Sequence, residues 1–258
     1  MAILDVVRVP GVTPYLPMWE RQRALAAARG RNEIDDLLLL LEHPPVYTNG
    51  RGGRREHLLV DEAALARLGA SYVEIDRGGD ITYHGPGQLV GYAVVDLDRA
   101  GLSARTYVRG IEQALIRTAA HFGVEAEAVP GYTGVWVGDE KLAAIGVKVS
   151  RNVTYHGFAL NVDPDLSYFG HIIPCGIADR GVTSLARLLG RAVAVDEVAP
   201  VCAAAFADMI GSDLRWAAAE FGSNLACDNG RVTGVSGVAS TSRRQTQGFP
   251  NAQEEPGR

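Results

Sequence analysis

The stretch 133-TGVWVGDEKLAAIGVKVSRNVTYHGFALNV-162 decides the fold class of this chain. It is rich in β-branched and aromatic residues that alternate with polar or small ones, which is typical of β-strands. Gly138-Asp139 predicts a tight hairpin turn, and 150-SRN-152 predicts a weaker one. The stretch therefore predicts three successive antiparallel strands, at 135–137, 141–149 and 153–162.

Strand patterns continue on the N-terminal side of this stretch, at 3–9, 71–75 and 88–97. Between the first two of these, five consecutive leucines at 37–41 are followed by Pro44 and Pro45. A short apolar run that ends at prolines favours a strand that is buried on both faces of a sheet.

Helical spacing occurs at 15–31, 62–69, 104–123, 183–190 and 195–212. Asp61 and Ser103 are suitable N-caps for the second and third of these segments. In the first segment, the residues that predict the buried face are Leu16, Trp19, Leu25 and Ala26. The order of elements predicts an α+β domain with a mainly antiparallel or mixed sheet and helices packed against it.

The composition predicts one large domain followed by a tail. The chain has 258 residues, of which 47% are hydrophobic, and this suffices for one full core. From residue 222 onward the chain is rich in Gly, Ser, Gln and Pro and has few large apolar residues. Such a composition does not bury enough surface to offset ordering entropy, so we expect a domain at 1–221 and a disordered tail at 222–258.

The charge distribution limits the classes of partner. A net charge of -5 without a strongly basic block argues against nucleic-acid binding. The segment 51-RGGRR-55 forms a local basic patch, which suits either an acidic protein partner or an ordinary solvated loop. The sequence contains neither a membrane-spanning apolar run nor a signal-peptide pattern at its start, so we expect a cytoplasmic protein without membrane contact.

The three cysteines are too few and too far apart for a disulfide framework or a zinc site. Cys202 lies in an apolar helical segment, and Cys227 lies at the edge of the predicted tail. Cys175 stands in the constrained loop Pro174-Cys175-Gly176, which suits a nucleophile, although a buried structural thiol fits the pattern as well. A histidine could activate this thiol, and His84, His156 and His171 are candidates.

Lysine is the other residue that could activate the thiol. Lys141 and Lys148 are the only lysines among 25 basic residues. Lysine can give up and regain a proton, whereas arginine stays protonated in proteins. Residues seven apart on a strand face opposite sides unless the strand bulges, for example at Gly146, so one lysine is expected at a site. Lys141, beside the hairpin turn, is the favoured one; ordinary exposed strand lysines are the alternative.

A glycine-dense stretch, 77-RGGDITYHGPGQLVGY-92, is the third candidate region. Glycines let the backbone approach a ligand closely and reach positive φ. The stretch matches neither a dinucleotide-binding fingerprint nor a phosphate-binding loop. It therefore predicts either a non-nucleotide ligand site or a pair of tight turns beside a strand.

Four separated motifs together resemble the octanoyltransferases of lipoate biosynthesis. They are RGGDITYHGPGQ at 77–88, KLAAIG at 141–146, HGFALN at 156–161 and PCGI at 174–177. The resemblance extends from about residue 3 to about residue 212, in the family's order and spacing. One departure is Asp80, where many relatives carry Gln.

The resemblance implies a fold similar to the catalytic domain of biotin and lipoate protein ligases. It also implies that an octanoyl group moves from octanoyl-acyl carrier protein to a specific lysine of a lipoyl domain. The acceptors would be lipoyl domains of the 2-oxoacid dehydrogenase complexes and the H protein of the glycine cleavage system. No metal or cofactor is implied.

The resemblance also implies the roles of individual residues. Cys175 would carry the acyl group as a thioester, and Lys141 would exchange protons. Backbone N–H groups near Ala144, Ile145 and Gly146 would stabilise the oxyanion. The residues implied to bind substrate are Arg77, Gly78, Gly79, Asp80, Ile81, Thr82, Tyr83, His84, Ala144, Ile145, Gly146, Gly157, Phe158 and Ala159.

Three other functions fit parts of the pattern. An ATP-dependent lipoate or biotin protein ligase on the same fold would need no catalytic cysteine and would form an acyl-adenylate. A non-catalytic acyl-binding module would keep the pocket and tolerate the loss of Cys175. A cysteine hydrolase would release free acid without a lysine acceptor.

Overall fold

A computed structural model describes residues 2–173, 180–218, 226–228 and 231–233. The helices are Tyr15–Gly30 (α1), Glu62–Arg67 (α2), Ala104–His121 (α3), Leu185–Leu189 (α4) and Val195–Ile210 (α5). The strands are Ala2–Val12 (β1), Asp36–Glu42 (β2), Val46–Asn49 (β3), Ser71–Glu74 (β4), Thr82–His84 (β5), Gln88–Val94 (β6), Glu127–Val129 (β7), Tyr132–Val137 (β8), Glu140–Ser150 (β9), Val153–Asn161 (β10), Gly181–Val182 (β11), Ser212–Trp216 (β12), Ala226–Asp228 (β13) and Arg231–Thr233 (β14).

The main sheet has the strand order β12-β1-β2-β6-β10-β9-β8-β7, with β11 paired to β9. Strands β12, β1 and β2 run parallel. From β2 to β7, each neighbouring pair is antiparallel. The predicted α+β fold with a mixed sheet and packed helices is confirmed, and the three strands that decided it are β8, β9 and β10.

The leucine run forms β2, near the centre of the sheet, and supplies both of its cores. Leu38 and Leu40 pack into the cluster on the α3 and α5 face. Leu37, Leu39 and Leu41 pack into the cluster that contains α1 residues. Because side chains alternate along a strand, one uninterrupted apolar run covers both faces, and each buried leucine contributes about 1.5–3 kcal/mol.

Helix α1 buries most of the predicted face, but not all of it. Leu25 and Ala26 are buried, and Trp19 packs against the same cluster. Leu16 is 51% exposed, whereas Tyr15, Met18 and Gln22, which were not predicted, are buried. The buried face includes a polar residue because the Gln22 Oε1 accepts a 2.8 Å hydrogen bond from the His156 N–H on β10. Apolar periodicity alone misses a face on which polar side chains bond to the sheet.

A second, three-stranded sheet has the order β4-β3-β5. Its apolar cluster contains Tyr47, Leu58, Leu65, Ile81 and Tyr83. Sequence patterns did not predict β3 and β5, because both are very short and lie in stretches rich in Gly and Pro. This small sheet carries the glycine-dense loop toward the main sheet.

Strands β13 and β14 pair antiparallel inside the segment that was predicted to be a disordered tail. The other residues from 219 onward lie outside the described part of the chain, so the domain boundary at residue 221 stays a prediction. Among the described helices, none combines the length and the apolar character that crossing a bilayer requires.

Candidate active site

A cavity of about 320 Å³ opens over β9 and β10, next to the loop that leads from β4 into β5. This volume lies at the lower end of the range typical of ligand pockets, about 300–1,000 Å³. Most of the predicted site residues line it: Arg77, Gly79, Asp80, Ile81, Thr82, His84, Lys141, Ala144, Ile145, Gly146, Gly157, Phe158 and Ala159. Three motifs that are far apart in sequence therefore meet around one space.

The remaining predicted site residues do not line the cavity. The Gly78 N–H donates a 3.0 Å hydrogen bond to the Val147 carbonyl, so this residue fixes the loop against β9. The Tyr83 ring stacks on Tyr168 with a centroid distance of 4.7 Å, within the cluster of the small sheet. Cys175 lies outside the described residues.

Glycine at 146 is required by the close approach of the loop that carries Arg77. A Cβ atom at this position would lie 2.8 Å from the Gly78 carbonyl oxygen and 2.9 Å from the Arg77 Cδ. The Arg77 guanidinium is held in turn by Thr48, to whose carbonyl oxygen it donates at 2.7 Å. The glycine therefore lets a buried arginine and its loop form one wall of the cavity.

Lys141 reaches the cavity because β9 bulges against β8. Val135 pairs with Ala143, but the next residue of β8, Trp136, pairs with Lys141, so Leu142 is an extra residue in β9. An extra residue reverses the face on which the preceding side chains project. The Lys141 Nζ lies 4.7 Å from the centre of the Trp136 ring, which also lines the cavity.

The bulge lies at Leu142 and not at Gly146, the position named from the sequence. Its consequence is that Lys141 and Lys148 project from the same face of β9. Lys148 is nevertheless not among the residues that line the cavity. Its charge acts on the buried imidazole of His156, further along the sheet.

The edge of β9 offers one of the predicted backbone donors. The Val147 carbonyl points away from β10, toward Gly78. The N–H and C=O of one strand residue point to the same side, and the side alternates along the strand. The Ile145 N–H therefore points to this same edge, beyond the last pair with β8 at Ala143. By the same alternation, the N–H groups of Ala144 and Gly146 point toward β10.

A chain of buried amides connects the motifs beneath the cavity. The Gln88 side chain contacts the His84 Nδ1 through Oε1 at 2.8 Å and donates to the Asn161 Oδ1 at 2.9 Å. Asn161 donates to the Thr183 carbonyl at 3.0 Å. The sequence signal for these residues was their position inside the motifs. The network fixes the end of β10 relative to the chain that follows Arg180.

His156 is held in an unusual backbone conformation at the other side of the cavity. Its φ is +58°, a value that residues other than glycine rarely adopt. Backbone strain of this kind concentrates at functional sites. Its Nε2 lies 3.1 Å from the Asp76 Oδ1. Burial nevertheless lowers the pKa of His156 to about 4, so the imidazole is neutral near pH 7.

His43 and His84 are neutral for the same reason. Burial lowers the pKa of His43 to about 4, and burial together with the nearby Arg77 charge holds the pKa of His84 well below its usual value. The polar end of the cavity therefore combines neutral imidazoles with one buried guanidinium.

Several residues that line the cavity were not predicted from the sequence. They include Tyr15 from α1, Tyr92 from β6, Trp136 from β8, Phe169 and Arg180. An aromatic residue on a helix or strand face is normally a core residue, so periodicity gives no sign that it faces a ligand. Phe169 and Arg180 flank the segment that contains Cys175, and both are at the cavity wall.

The sequence and fold can now be compared with known proteins. The family described as "Lipoyl protein ligase A/B catalytic domain" matches residues 14–207. The chain belongs to this family.

Several curated relatives of this chain bear the name octanoyltransferase. The one from Gloeobacter violaceus is 51% identical over 203 residues, which are 78% of this chain and 88% of the relative. The one from Rubrobacter xylanophilus is 50% identical over 212 residues, which are 81% of this chain and 95% of the relative. This member of the family is therefore an acyltransferase.

Solved structures of lipoate protein ligases share the fold. Lipoate-protein ligase A bound with ATP superposes with a TM-score of 0.64 at 16% identity, covering 83% of this chain and 89% of the ligase. The bi-partite lipoate protein ligase from Thermoplasma acidophilum gives a TM-score of 0.61 at 19% identity, covering 84% and 86%. The predicted likeness to lipoate protein ligases is confirmed for the fold.

Proposed function

We propose that this chain transfers an octanoyl group from octanoyl-acyl carrier protein to a specific lysine of a lipoyl domain, through a thioester on Cys175. The observation that carries the proposal is the position of Lys141 beside a small cavity with an apolar wall. Curated relatives that are about half identical, and that are named octanoyltransferases, support the acyl group.

The cavity wall suits a short acyl chain. Ala144, Ile145, Phe158 and Ala159 supply apolar surface, and glycines between them keep the space open. From Lys141 to Gly146 this wall extends roughly 15 Å along β9, at about 3.3 Å per residue. The alkyl chain of the acyl group would lie against these apolar residues, with its reacting carbon within reach of the Lys141 side chain and of the strand edge.

The first half of the reaction would form the acyl-enzyme. Lys141 in its neutral form takes the proton of the Cys175 thiol, and the resulting thiolate attacks the carbonyl carbon of the donor thioester. The Ile145 N–H, which points to the edge of β9 away from β10, is the donor best placed to stabilise the oxyanion. As the C–S bond of the donor breaks, Lys141 returns the proton to the leaving carrier thiol.

The second half would form the amide. The neutral lysine amine of the lipoyl domain attacks the thioester on Cys175, and Lys141 takes up the proton that the amine loses. As the bond to the Cys175 sulfur breaks, Lys141 gives this proton to the sulfur, which restores both the thiol and the neutral lysine. The acceptors would be the lipoyl domains of 2-oxoacid dehydrogenase complexes and the glycine cleavage H protein.

An ATP-dependent ligase on the same fold remains the alternative for comparison. The ligase named above shares its fold with this chain, but at 16% identity the shared fold does not indicate a shared reaction. A ligase would consume free octanoate and ATP and would not need Cys175. Transfer from a thioester without ATP therefore separates the two functions.

Intact-protein mass spectrometry tests the proposal. Wild type, Cys175→Ala and Lys141→Ala are mixed with octanoyl-acyl carrier protein without ATP, and an apo lipoyl domain is then added. Wild type should gain one octanoyl mass and pass it to the lipoyl domain, and Cys175→Ala should gain none. Cys202→Ala is the matched control, because Cys202 is fully buried in α5. Transfer by Cys175→Ala, or an absolute requirement for ATP, would contradict the proposal.

A further inference from the structure

Arg180 shares an aromatic ring with Lys141 at the cavity wall. The Arg180 guanidinium carbon lies 5.1 Å from the centre of the Trp136 ring, and the Lys141 Nζ lies 4.7 Å from the same centre. The two cationic groups are therefore at most about 10 Å apart, which is the sum of these distances. Both residues line the cavity, but only Lys141 has a place in the proposed reaction.

Two aromatic residues fix the position of the Arg180 side chain. Its guanidinium carbon also lies 4.6 Å from the centre of the Tyr132 ring. The Trp136 ring is buried, and its Nε1 donates a 3.0 Å hydrogen bond to the Tyr132 carbonyl. The Arg180 side chain is only 23% exposed. Its charge therefore acts on Lys141 partly through protein, where salt screens it much less than it does through water.

Asp139 forms an ion pair with Arg180 but weakens its charge only in part. The Asp139 Oδ1 lies 3.5 Å from the Arg180 Nη1, and the Asp139 side chain is 85% exposed. Water largely screens an exposed carboxylate of this kind. The Arg180 guanidinium, in contrast, faces two aromatic rings at the cavity wall.

Two other carboxylates near Lys141 are engaged elsewhere. Glu140 pairs with the Arg187 guanidinium on α4 at 3.4 Å. The Glu112 Oε1 accepts a 3.1 Å hydrogen bond from a backbone N–H of β8. Glu112 belongs to α3, which packs on the face of the sheet opposite to α1. Among these charged groups, Arg180 is the one that faces the same ring as Lys141.

The proposed reaction needs Lys141 without its proton. A lysine in water titrates near 10.4, so only roughly one molecule in 2,500 is neutral at pH 7. The Trp136 ring favours the ammonium form, because its π face attracts a cation. A second positive charge nearby has the opposite effect. Arg180 supplies this charge at every working pH, since arginine stays protonated in proteins.

We propose that Arg180 favours the neutral, proton-accepting form of Lys141 by electrostatic repulsion of its ammonium form. The catalytic meaning of this repulsion rests on the proposed function, because that function requires a lysine that exchanges protons. At about 10 Å and an effective dielectric constant near 20, the repulsion shifts the Lys141 titration by up to about one pH unit. Arg180 thus acts on the reaction through Lys141.

The composition of the chain allows the titration of Lys141 to be measured directly. Lys141 and Lys148 are the only lysines, so protein labelled with carbon-13 at the lysine Cε gives two NMR signals, which Lys148→Arg assigns. In Arg180→Gln, the titration midpoint of Lys141 should rise by about half a unit to one unit. The midpoint of Lys148 should stay unchanged, because this residue is roughly 20 Å further along β9 at about 3.3 Å per residue.

Three further variants separate the charge of Arg180 from its shape. Arg180→Met removes the charge with a different side chain and should give the same rise as Arg180→Gln. Arg180→Lys keeps the charge and should leave the Lys141 midpoint close to that of wild type. Arg109→Gln is the matched control, because it removes one positive charge from an exposed position of α3. Urea unfolding first establishes that each variant folds.

Two results of the titration would overturn the proposal. The first is a Lys141 midpoint that is unchanged or lowered when the charge at position 180 is removed. The second is an equal rise in Arg109→Gln, which would mean that the midpoint responds to net charge and not to Arg180.

Single-turnover transfer from the octanoyl-enzyme to an apo lipoyl domain supplies the second arm. In Arg180→Gln the rate at pH 7 should fall about three- to tenfold, and the difference from wild type should narrow as the pH rises. Arg180→Lys should restore most of the rate. A loss that is equal at every pH and is not restored by Arg180→Lys would mean that Arg180 only supports the cavity wall, and would overturn the proposal. If wild type transfers no octanoyl group, the proposed function fails, and the NMR titration still decides whether Arg180 acts on Lys141.

Discussion

The role proposed for Lys141 requires proton exchange as well as positive charge. It lies beside the cavity, over the Trp136 ring, in a chain that otherwise uses arginine almost throughout. Arginine would keep the positive charge but could not give up and regain a proton. A requirement for charge and a requirement for proton exchange therefore make different predictions for one substitution.

Lys141→Arg should fold normally and lose transfer activity by roughly 100-fold or more, which is the usual size of a general acid–base contribution. Lys148→Arg is the matched control, because Lys148 lies on the same strand and face but outside the cavity lining. The measurement is single-turnover transfer followed by mass spectrometry. An arginine variant with nearly full activity would show that only the charge at position 141 is needed.

The buried histidines predict how stability depends on pH. The pKa values of His43 and His156 are lowered by burial to about 4, whereas an unfolded histidine titrates near 6.5. Between these values the unfolded state binds more protons than the folded state. Stability should therefore fall as the pH decreases from about 6.5 to 4, by up to about 1.4 kcal/mol per pH unit for each histidine.

Urea unfolding at pH 7, 6, 5 and 4.5 measures this dependence. His43→Gln should flatten the slope, since glutamine does not titrate. His121→Gln, which makes the same substitution at an exposed position of α3, is the control. A wild-type stability that stays constant between pH 6.5 and 4.5 would contradict the assignment of neutral buried histidines.

At the scale of elements, β9 determines the site through two local irregularities. The bulge at Leu142 turns Lys141 toward the cavity, and Gly146 lets the Arg77 loop lie across the strand. The edge between them carries the Ile145 N–H. One strand thus supplies the proposed proton carrier, the oxyanion donor and part of the acyl wall.

Gly146→Ala should destabilise the protein by about 1–3 kcal/mol and reduce transfer more than stability, because the new Cβ would displace Arg77 and Gly78. The control is Gly30→Ala at the end of α1, where a Cβ would make an ordinary 3.7 Å contact with Val153. Urea unfolding and transfer rates would be measured on both variants. If Gly146→Ala were as stable and active as the control, the close approach would not be needed.

The same strand shows how far the sequence could predict this site. Alternation identified β9 and its two hairpin partners, and the lysine pattern drew attention to Lys141. The position of the bulge was not predictable, because it depends on pairing with Trp136 across the hairpin. Nor could a pattern show that Tyr15 and Trp136 face a cavity, since an aromatic residue in a regular element is usually part of the core.

At the scale of the whole molecule, β12 is the edge strand on the parallel side of the main sheet. It ends close to the predicted domain boundary at residue 221. Strand β12 pairs with β1, and the Arg215 Nε donates to the Asp5 Oδ1 at 2.6 Å. The Ala217 N–H continues this edge with a bond to the Val6 carbonyl. The composition change after residue 221 thus follows the last strand of the main sheet.

Two truncations separate the domain from the predicted tail. A chain that ends at residue 221 keeps β12 and should retain full octanoyl transfer, with a Tm within a few degrees of the full chain. A chain that ends at residue 210 loses β12 and its ion pair with Asp5, and leaves an open edge on β1. A loss of at least about 2 kcal/mol would lower its Tm by roughly 4–8 °C. Thermal unfolding and transfer rates measure both chains. If removal of residues 222–258 abolished transfer while Tm stayed unchanged, the tail would have a function, and the domain would not end at residue 221.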